Sequence, residues 1–443
     1  MKVAFVLPAI GKKPGERYIG TWKMEPLTIA MLSALTPPDV EQVFFDDRIE
    51  LIDYDHPTDV VAITVETYTA KRAYAIADRF AARGVKVVLG GYHATLLPEE
   101  AAAHADAIVT GNAEAVWAQV MDDLKSGSLR PRYNGGVRID DTPPDRTIFG
   151  DKNYLPVGLV ETGRGCGHFC EFCAIASYYR ARYHPRALDR VVRDIEVSGR
   201  KVFFFVDDNL VADPDNVLEL CRRLKSMNVM WAAQGTLEMA ARPDLLRAMK
   251  DAGCELILIG FESLEPASLA AMGKRWSVAG GERAEMVKRI HDAGIGIYAT
   301  FVLGYDGDTR ETFGRTVEFA KESAFHTAAF NHLLPFPGTR LYARLEAEGR
   351  LLSPTWWLDE DYHYGQLAFR PAKLAPEEVS GLCRQARKDF GAPGSVFVRG
   401  MHAFSRGRLR MWPVFWMMNL RLGREIEEKY DIPIGAHLDE LPK

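Results

Sequence analysis

Cysteine is scarce in this chain, with six in 443 residues. That is too few for the disulfide framework of a secreted scaffold. Long apolar runs are missing as well: none approaches the roughly 20 residues of a membrane-spanning helix. Met1–Leu7 gives way to a polar, Gly/Pro-rich loop, unlike a secretory leader. The net charge of −5 leaves no basic footprint for nucleic acid. Internal repeats and low-complexity tracts are absent too. With 47% hydrophobic and 26% charged residues, the composition is that of an ordinary globular protein. The length suffices for two or three domains, and a cytoplasmic location is expected.

Three of the six cysteines fall in one run, Gly165-Cys-Gly-His-Phe-Cys-Glu-Phe-Cys, which sets Cys166, Cys170 and Cys173 at Cys-x3-Cys-x2-Cys. A structural zinc site shows paired Cys/His clusters, and no second pair follows. Three thiolates can hold three irons of a [4Fe–4S] cluster, which normally takes four cysteines. With no fourth nearby, one iron would stay open, like the open position of a catalytic metal. Cys221, Cys254 and Cys383 have no such spacing, and the first two read as buried structural residues. The run resembles the radical S-adenosylmethionine (SAM) superfamily. That resemblance implies SAM bound through its amino and carboxylate groups to the open iron and cleaved to a 5′-deoxyadenosyl radical, chemistry that belongs to the cofactors.

The first ~135 residues alternate short apolar runs (Lys2–Leu7, Val43–Phe45, Val60–Val65, Val85–Leu89, Ala107–Val109) with helical patterns (Pro26–Leu35, Thr69–Arg83, Pro98–His104). Such alternation predicts a doubly wound, Rossmann-like parallel sheet, with ligands at the carboxyl ends of its strands. The loops there are Pro8–Trp22, Glu66–Thr69, Gly90–Thr95 and Gly111–Glu114. Val87-Val-Leu-Gly-Gly-Tyr-His-Ala-Thr and Thr110-Gly-Asn-Ala-Glu resemble the cobalamin-binding domain that precedes many radical SAM modules. The resemblance implies corrin contacts at Gly90, Gly91, His93, Thr95, Gly111 and Glu114, the glycines allowing close backbone approach. His93 is expected near the pocket but not as a cobalt ligand. The Asp-x-His-x-x-Gly motif is absent, and Asn112 stands where glutamate is usual. A flavodoxin-like domain kept for shape or substrate binding is the alternative.

A Pro/Gly/Asp-rich stretch, Pro131–Tyr154, reads as a linker. About six strand–helix units follow, fitting the partial (βα)6 barrel of the family, whose active sites lie at the carboxyl ends of the strands. By the same resemblance, Asp207 and Asp208 would accept the SAM ammonium, an Asx turn or helix cap being their plainer role. Gln234 would contact the SAM carboxylate or substrate. Glu262 and Ser263, in Gly260-Phe-Glu-Ser, would bind ribose or carboxylate, while Gly304 and Phe172 would pack around adenine. His332 is a candidate substrate contact or a satisfied structural histidine.

Beyond Arg340 the pattern turns mainly helical. Trp356-Trp-Leu-Asp-Glu-Asp-Tyr-His-Tyr would close over a hydrophobic substrate or seal the barrel mouth. Arg406–Arg424, basic and aromatic, would lie on a membrane surface or pack on the barrel, the latter favoured. The expected division is 1–135 cobalamin-binding-type domain, 136–154 linker, 155–345 radical SAM core and 346–443 C-terminal extension. The resemblance is to the group of the anaerobic Mg-protoporphyrin monomethyl ester cyclase and the hopanoid methylase. It implies an enzyme that abstracts hydrogen from an unactivated carbon and then methylates it from methylcobalamin. Cobalamin-free cyclisation, coupling or rearrangement is the alternative, and a non-catalytic iron–sulfur or corrinoid-binding protein a remoter one. The expected partners are a small, lipophilic substrate and a reductase such as flavodoxin or ferredoxin, with no nucleic acid.

Overall fold

The computed structural model describes residues 1–20, 23–278, 281–406, 408 and 410–440. Trp22, at the end of the first predicted ligand loop, Gly280, at the start of a predicted helix, and Gly407 and Leu409 of the predicted tail lie outside the described residues.

Six parallel strands form the first sheet: β1 (Lys2–Leu7), β2 (Glu41–Asp46), β3 (Val60–Thr64), β4 (Lys86–Gly90), β5 (Ala107–Thr110) and β6 (Arg132–Asn134), in the order β2-β1-β3-β4-β5-β6. Its helices are α1 (Leu27–Leu35), α2 (Ala70–Ala81), α3 (Tyr92–Leu96), α4 (Pro98–Ala102) and α5 (Trp117–Lys125). Alternation along β1 decides which face each meets. Val3 and Phe5 share a core with α1 and α5, whereas Ala4 and Val6 share one with α2. The order reverses between β1 and β3, the switch point where such sheets open a crevice.

Two expectations are corrected here. Ala107–Val109 is not the last strand, because Arg132–Asn134, read as the start of the linker, pairs with β5 in parallel. Its single buried side chain, Tyr133, is too little for any periodicity to show. Gly90–Thr95 is likewise not all loop, since Tyr92–Leu96 turns into a short helix.

The second sheet is parallel and strictly sequential, β14-β13-β12-β11-β10-β7. Its strands are β7 (Gly158–Val160), β10 (Val202–Phe205), β11 (Met230–Gly235), β12 (Cys254–Glu262), β13 (Gly296–Leu303) and β14 (Thr327–His332). A two-residue pair, β8 (Gly163–Arg164) with β9 (His184–Pro185), brackets the cysteine loop. The helices α6 (Ala174–Tyr179), α7 (Leu188–Ser198), α8 (Pro214–Leu224), α9 (Pro243–Asp251), α10 (Pro266–Ala271), α11 (Arg283–Asp292), α12 (Arg310–Glu322) and α13 (Arg340–Ala347) follow in turn. A sequential parallel order with a helix after each strand is the topology of a partial barrel.

The aromatic segment after α13 packs between the first sheet and the turn that follows β14. Trp356 and Trp357 are buried in the same core as Ala4, Val6 and α2. Their indole nitrogens donate to Pro335 O (3.1 Å) and Glu100 Oε1 (3.0 Å). Three helices follow, α14 (Pro376–Phe390), α15 (Pro393–Ser405) and α16 (Trp412–Lys429), and a last pairing of β15 (His363–Tyr364) with β16 (Ile432–Pro433).

The chain end then returns to the first sheet. Gly435 N donates to Ile10 O (2.6 Å), and Lys12 N to Ala436 O (3.2 Å). Arg72 grips Asp47 with Nε and Nη2 (3.0 and 2.8 Å) and Asp439 with Nη1 and Nη2 (3.0 and 2.9 Å). Truncating one side of a buried ion pair strands the other charge in low dielectric. Arg72→Met is therefore expected to cost about 3–5 kcal/mol of unfolding free energy, read as a fall in the urea midpoint. The Arg72 hydrogen bond also holds the Asp439 carboxyl below its ordinary value. This share of stability should be complete above the unfolded carboxylate pKa, about 3.9, and fade as the pH falls through the lower folded value.

Candidate active site

The cysteine loop runs from the carboxyl end of β7 into α6. Gly165 opens it at φ +86°, where a Cβ would lie 2.2 Å from Arg182 O, so only glycine fits. Its N–H donates to Asp208 Oδ2 (2.7 Å), pinning the loop to the end of β10. Cys173 caps α6, its Sγ accepting from Ala176 N (3.5 Å). Glu171 anchors the other side, its carboxylate accepting from Arg344 Nε (2.7 Å) and Tyr305 Oη (3.0 Å). Phe172 packs on the barrel core. His168 stacks on Trp276 with ring centroids 3.4 Å apart.

All three cysteines are half-buried and free. Burial pushes each thiol up, Cys170 to about 12, and the three lie close enough to perturb one another. Metal binding requires thiolates, and the buried Lys274 lies close enough to Cys166 and Cys170 to favour theirs. Burial pulls the Lys274 ammonium down, but Glu262 and the thiols of Cys170 and Cys166 outweigh it and hold the group above an ordinary lysine. Its Nζ donates to Glu262 Oε1 at 2.7 Å. Among the described residues no three His, Cys, Asp or Glu side chains converge on a single ion. Three thiols beside an ammonium, each free to take its own iron, fit a [4Fe–4S] cluster in which every thiolate has a different metal.

A cavity of about 280 Å³ lies between this loop and the carboxyl edge of the first sheet. Thr64, Glu66, Gly90, Gly91, Thr95, Gly111 and Glu114 line it from one side, and Glu161, Arg164 and Asp208 from the other. Leu27, Ile29 and Leu32 of α1 and Trp117 extend it as an apolar slot against the sheet. Arg164 bridges the two halves, pairing with Glu114 (2.6 Å) and Glu161 (2.8 Å). Tyr179 Oη donates to Asn112 Oδ1 (2.9 Å), Asn112 Nδ2 to Arg138 O (3.2 Å), and Tyr178 Oη to Gly136 O. Glutamate at 112 could accept from Tyr179 but not donate to Arg138, so the departure Asn112 belongs to this contact. Glu66 opens into the cavity, whose low-dielectric walls push its carboxyl up to about 7.

Other predicted residues sit differently. His93 does not line the cavity: it is fully buried, with Nδ1 on Thr67 Oγ1 (3.2 Å) and Nε2 on Glu100 Oε1 (2.8 Å). Asp207 is turned inward, accepting from Thr162 N (2.9 Å) and Thr162 Oγ1 (2.5 Å). Burial pushes its carboxyl up to about 7 although these bonds pull it down. Ser263 is fully buried and accepts from Glu265 N (3.0 Å). Glu262 keeps φ +58° at the strand end, a strained conformation that a non-glycine residue adopts at functional sites. Gln234 is half-buried at the end of β11, in register with Leu258. Gly304 backs onto Val379 of α14, 3.1 Å from a Cβ placed there. His332 ends β14, its Nε2 without a partner among the described residues. Thr95 Oγ1 accepts from Gly111 N (2.9 Å) and donates to Gly91 O (2.8 Å), so it braces both glycine turns.

Sequence reasoning missed Lys274, Arg164 and Glu161, and it placed Glu66 in a ligand loop without singling it out. The available signal for Lys274 was Gly273, which at φ +72° ends α10 and turns the chain back. For Arg164 it was an arginine two residues ahead of the first cysteine.

Residues 160–320 match the Radical SAM superfamily model. The bacteriochlorophyllide d C-12(1)-methyltransferase of Chlorobaculum tepidum is 30% identical over 90% of this chain and 88% of its own length. The hopanoid C-2 methylase of Rhodopseudomonas palustris is 27% identical over 74% of this chain and 66% of its own. The solved radical S-adenosylmethionine methyltransferase TsrM from Kitasatospora setae, with cobalamin and [4Fe–4S] cluster bound, shares the fold with a TM-score of 0.61 at 16% identity, over 78% of each chain. The chain thus belongs to the radical SAM superfamily and is a radical SAM enzyme that carries an N-terminal cobalamin-binding-type domain before its barrel.

Proposed function

We propose that this enzyme methylates an unactivated carbon of a small, lipophilic substrate in a cobalamin-dependent reaction, with electrons from a flavodoxin- or ferredoxin-like reductase. The observation that carries the reading is the cavity between the carboxyl edge of the first sheet and the residues that flank the cysteine loop, Glu161, Arg164, Tyr178 and Asp208, continued as an apolar slot along α1. A relative matched over nearly its full length is a C-methyltransferase of a bacteriochlorophyllide, and another methylates a hopanoid. The division of labour would be that of the expected boundaries, 1–135 for the cobalamin-type domain, 136–154 as linker, 155–345 for the core and 346–443 as extension.

When bound, a [4Fe–4S] cluster with SAM supplies hydrogen abstraction and cobalamin a transferable methyl group. Cys166, Cys170 and Cys173 would hold the cluster, with Lys274 favouring the thiolates of Cys166 and Cys170. Glu262 shares the ammonium of Lys274 and keeps its other oxygen for a SAM hydroxyl or ammonium. Asp208 fixes the loop through Gly165. Arg164, neutralised by Glu114 and Glu161, keeps the two halves of the cavity in register. The slot walls at Leu27, Ile29 and Leu32 exclude water and would take the apolar part of the corrin's nucleotide tail.

Cobalamin-free radical chemistry is the second reading. Gly91 and Gly111 line the cavity, but each also turns one side to protein: a Cβ on Gly91 would lie 2.7 Å from Val65 O, and one on Gly111 2.4 Å from Tyr178 Oη. Those glycines serve the protein's own packing whether or not a corrin arrives.

Anaerobic reconstitution with hydroxocobalamin is expected to leave corrin equimolar with the chain, measured by absorbance and mass spectrometry. An intact cluster without corrin would select the second reading. Cys170→Ala should lose the iron–sulfur absorbance and 5′-deoxyadenosine formation while retaining corrin; continued deoxyadenosine production would remove the cysteine loop from the chemistry. Glu262→Gln should weaken SAM binding about tenfold, as losing one charged hydrogen bond does, with iron content unchanged. Equal SAM affinity in the two proteins would refute the role given to Glu262.

A further inference from the structure

The last two long helices carry an apolar surface that the chemistry does not use. One face of α15–α16 is buried: Arg399 donates to Phe325 O (3.1 Å), Phe390 O (3.0 Å) and Asn419 Oδ1 (3.0 Å). Phe415 and Asn419 are buried beside it. The opposite face is bare. Along α15, Phe397, Val398, Met401 and Phe404 follow helical spacing and are 60, 66, 44 and 48% exposed; on α16, Met417 and Leu420 are 53 and 72% exposed. These are six of the twelve exposed large hydrophobic side chains among the described residues. Phe404 and Trp412, with rings 5.5 Å apart, join the two helices into one surface. A contiguous exposed apolar patch marks an interaction site.

Charge identifies what covers it. From Pro393 to Arg424 there are six arginines and no Asp or Glu, in a chain of net charge −5. Arg399 and Arg408 are buried, Arg406 lies 3.5 Å from Asp292, and Arg424 pairs with Glu428. Arg410 and Arg421 are exposed and have no ion-pair partner among the described residues. They stand just before α16 and beside Leu420, at the margins of the apolar face. Pairing this face with a second copy of itself would bring arginines together with no acidic residue in the segment to meet them. Anionic headgroups over acyl chains match both features. No described helix is long and apolar enough to cross a membrane, so the helices would lie on it.

We propose that the α15–α16 hairpin is a docking surface for an anionic phospholipid bilayer, with Phe397, Val398, Met401, Phe404, Met417 and Leu420 entering the interface and Arg410 and Arg421 meeting the headgroups. This contact is independent of the methyl-transfer reading, and its test reads binding alone. The full chain, reconstituted anaerobically, is floated with vesicles of phosphatidylcholine and phosphatidylglycerol and with vesicles of phosphatidylcholine only. The protein should float with the anionic vesicles and stay behind with the neutral ones, and added salt should release it. Arg410→Glu/Arg421→Glu and Phe397→Glu/Leu420→Glu should each lower vesicle affinity by about tenfold or more. All four positions are exposed, and an unchanged melting temperature will show that the variants are folded. Absence of flotation of the parent protein, or equal flotation of the folded variants, would overturn the proposal. So would a parent dimer that Phe397→Glu/Leu420→Glu converts to monomer, which would assign the face to a second copy.

Discussion

A partly buried guanidinium is stabilised by carboxylates that meet its charge, and the position of Arg164 between two of them follows from that. It stands two residues before the first cysteine, between Glu161, just past the end of β7, and Glu114 on the edge of the other sheet. Satisfying both carboxylates leaves little freedom in how the sheets face each other. The cavity between them, the orientation of the cysteine loop and the contact of Tyr179 with Asn112 all depend on that arrangement. The same rule operates a few residues away, where Lys274 is tolerable in the interior because Glu262 lies 2.7 Å from it beside the thiols.

Each half is braced a second time by chain remote in sequence. The C-terminal residues return to the first sheet through Gly435, Ala436 and the Arg72–Asp439 pair, and Trp356 and Trp357 pack into the core of that sheet's α2 face. The residues after the barrel therefore belong structurally to both halves. A cavity whose two walls are tied in this way can keep a fixed separation between a radical source on one side and a methyl donor on the other. Fixed geometry of this kind is what converts encounter into reaction.

Much of the fold was legible without coordinates. The span Lys2–Leu7 coincides with β1, and Thr69–Arg83 encloses α2, because buried β runs and amphipathic helices leave strong periodic signals. Arg132–Asn134 did not, since one buried tyrosine in three residues carries no period. The aromatic segment at Trp356 was legible as apolar but not as to destination: composition says that such residues will be buried, not against which sheet. The motif glycines were read as points of close backbone approach, and Gly91 and Gly111 adopt positive φ. Their Cβ positions turned out to face neighbouring backbone and Tyr178 as well as the cavity.

By itself the sequence determined the cysteine spacing and hence the cluster chemistry, the two alternating strand–helix blocks, and the positions of the loops at the strand ends. These are local properties, set by covalent spacing and by periods of two or 3.6 residues. Tertiary structure alone decided that Asp207 and His93 spend their polar atoms on Thr162, Thr67 and Glu100, and that Lys274 and Arg164 enter the site. It alone decided too that the tail buries one face and exposes the other. Each of these depends on which group satisfies a buried charge or hydrogen bond, and partners such as Arg164 and Glu114 or Arg399 and Phe325 lie 50 and 74 residues apart. Pairings of that kind leave no periodic trace in a single chain.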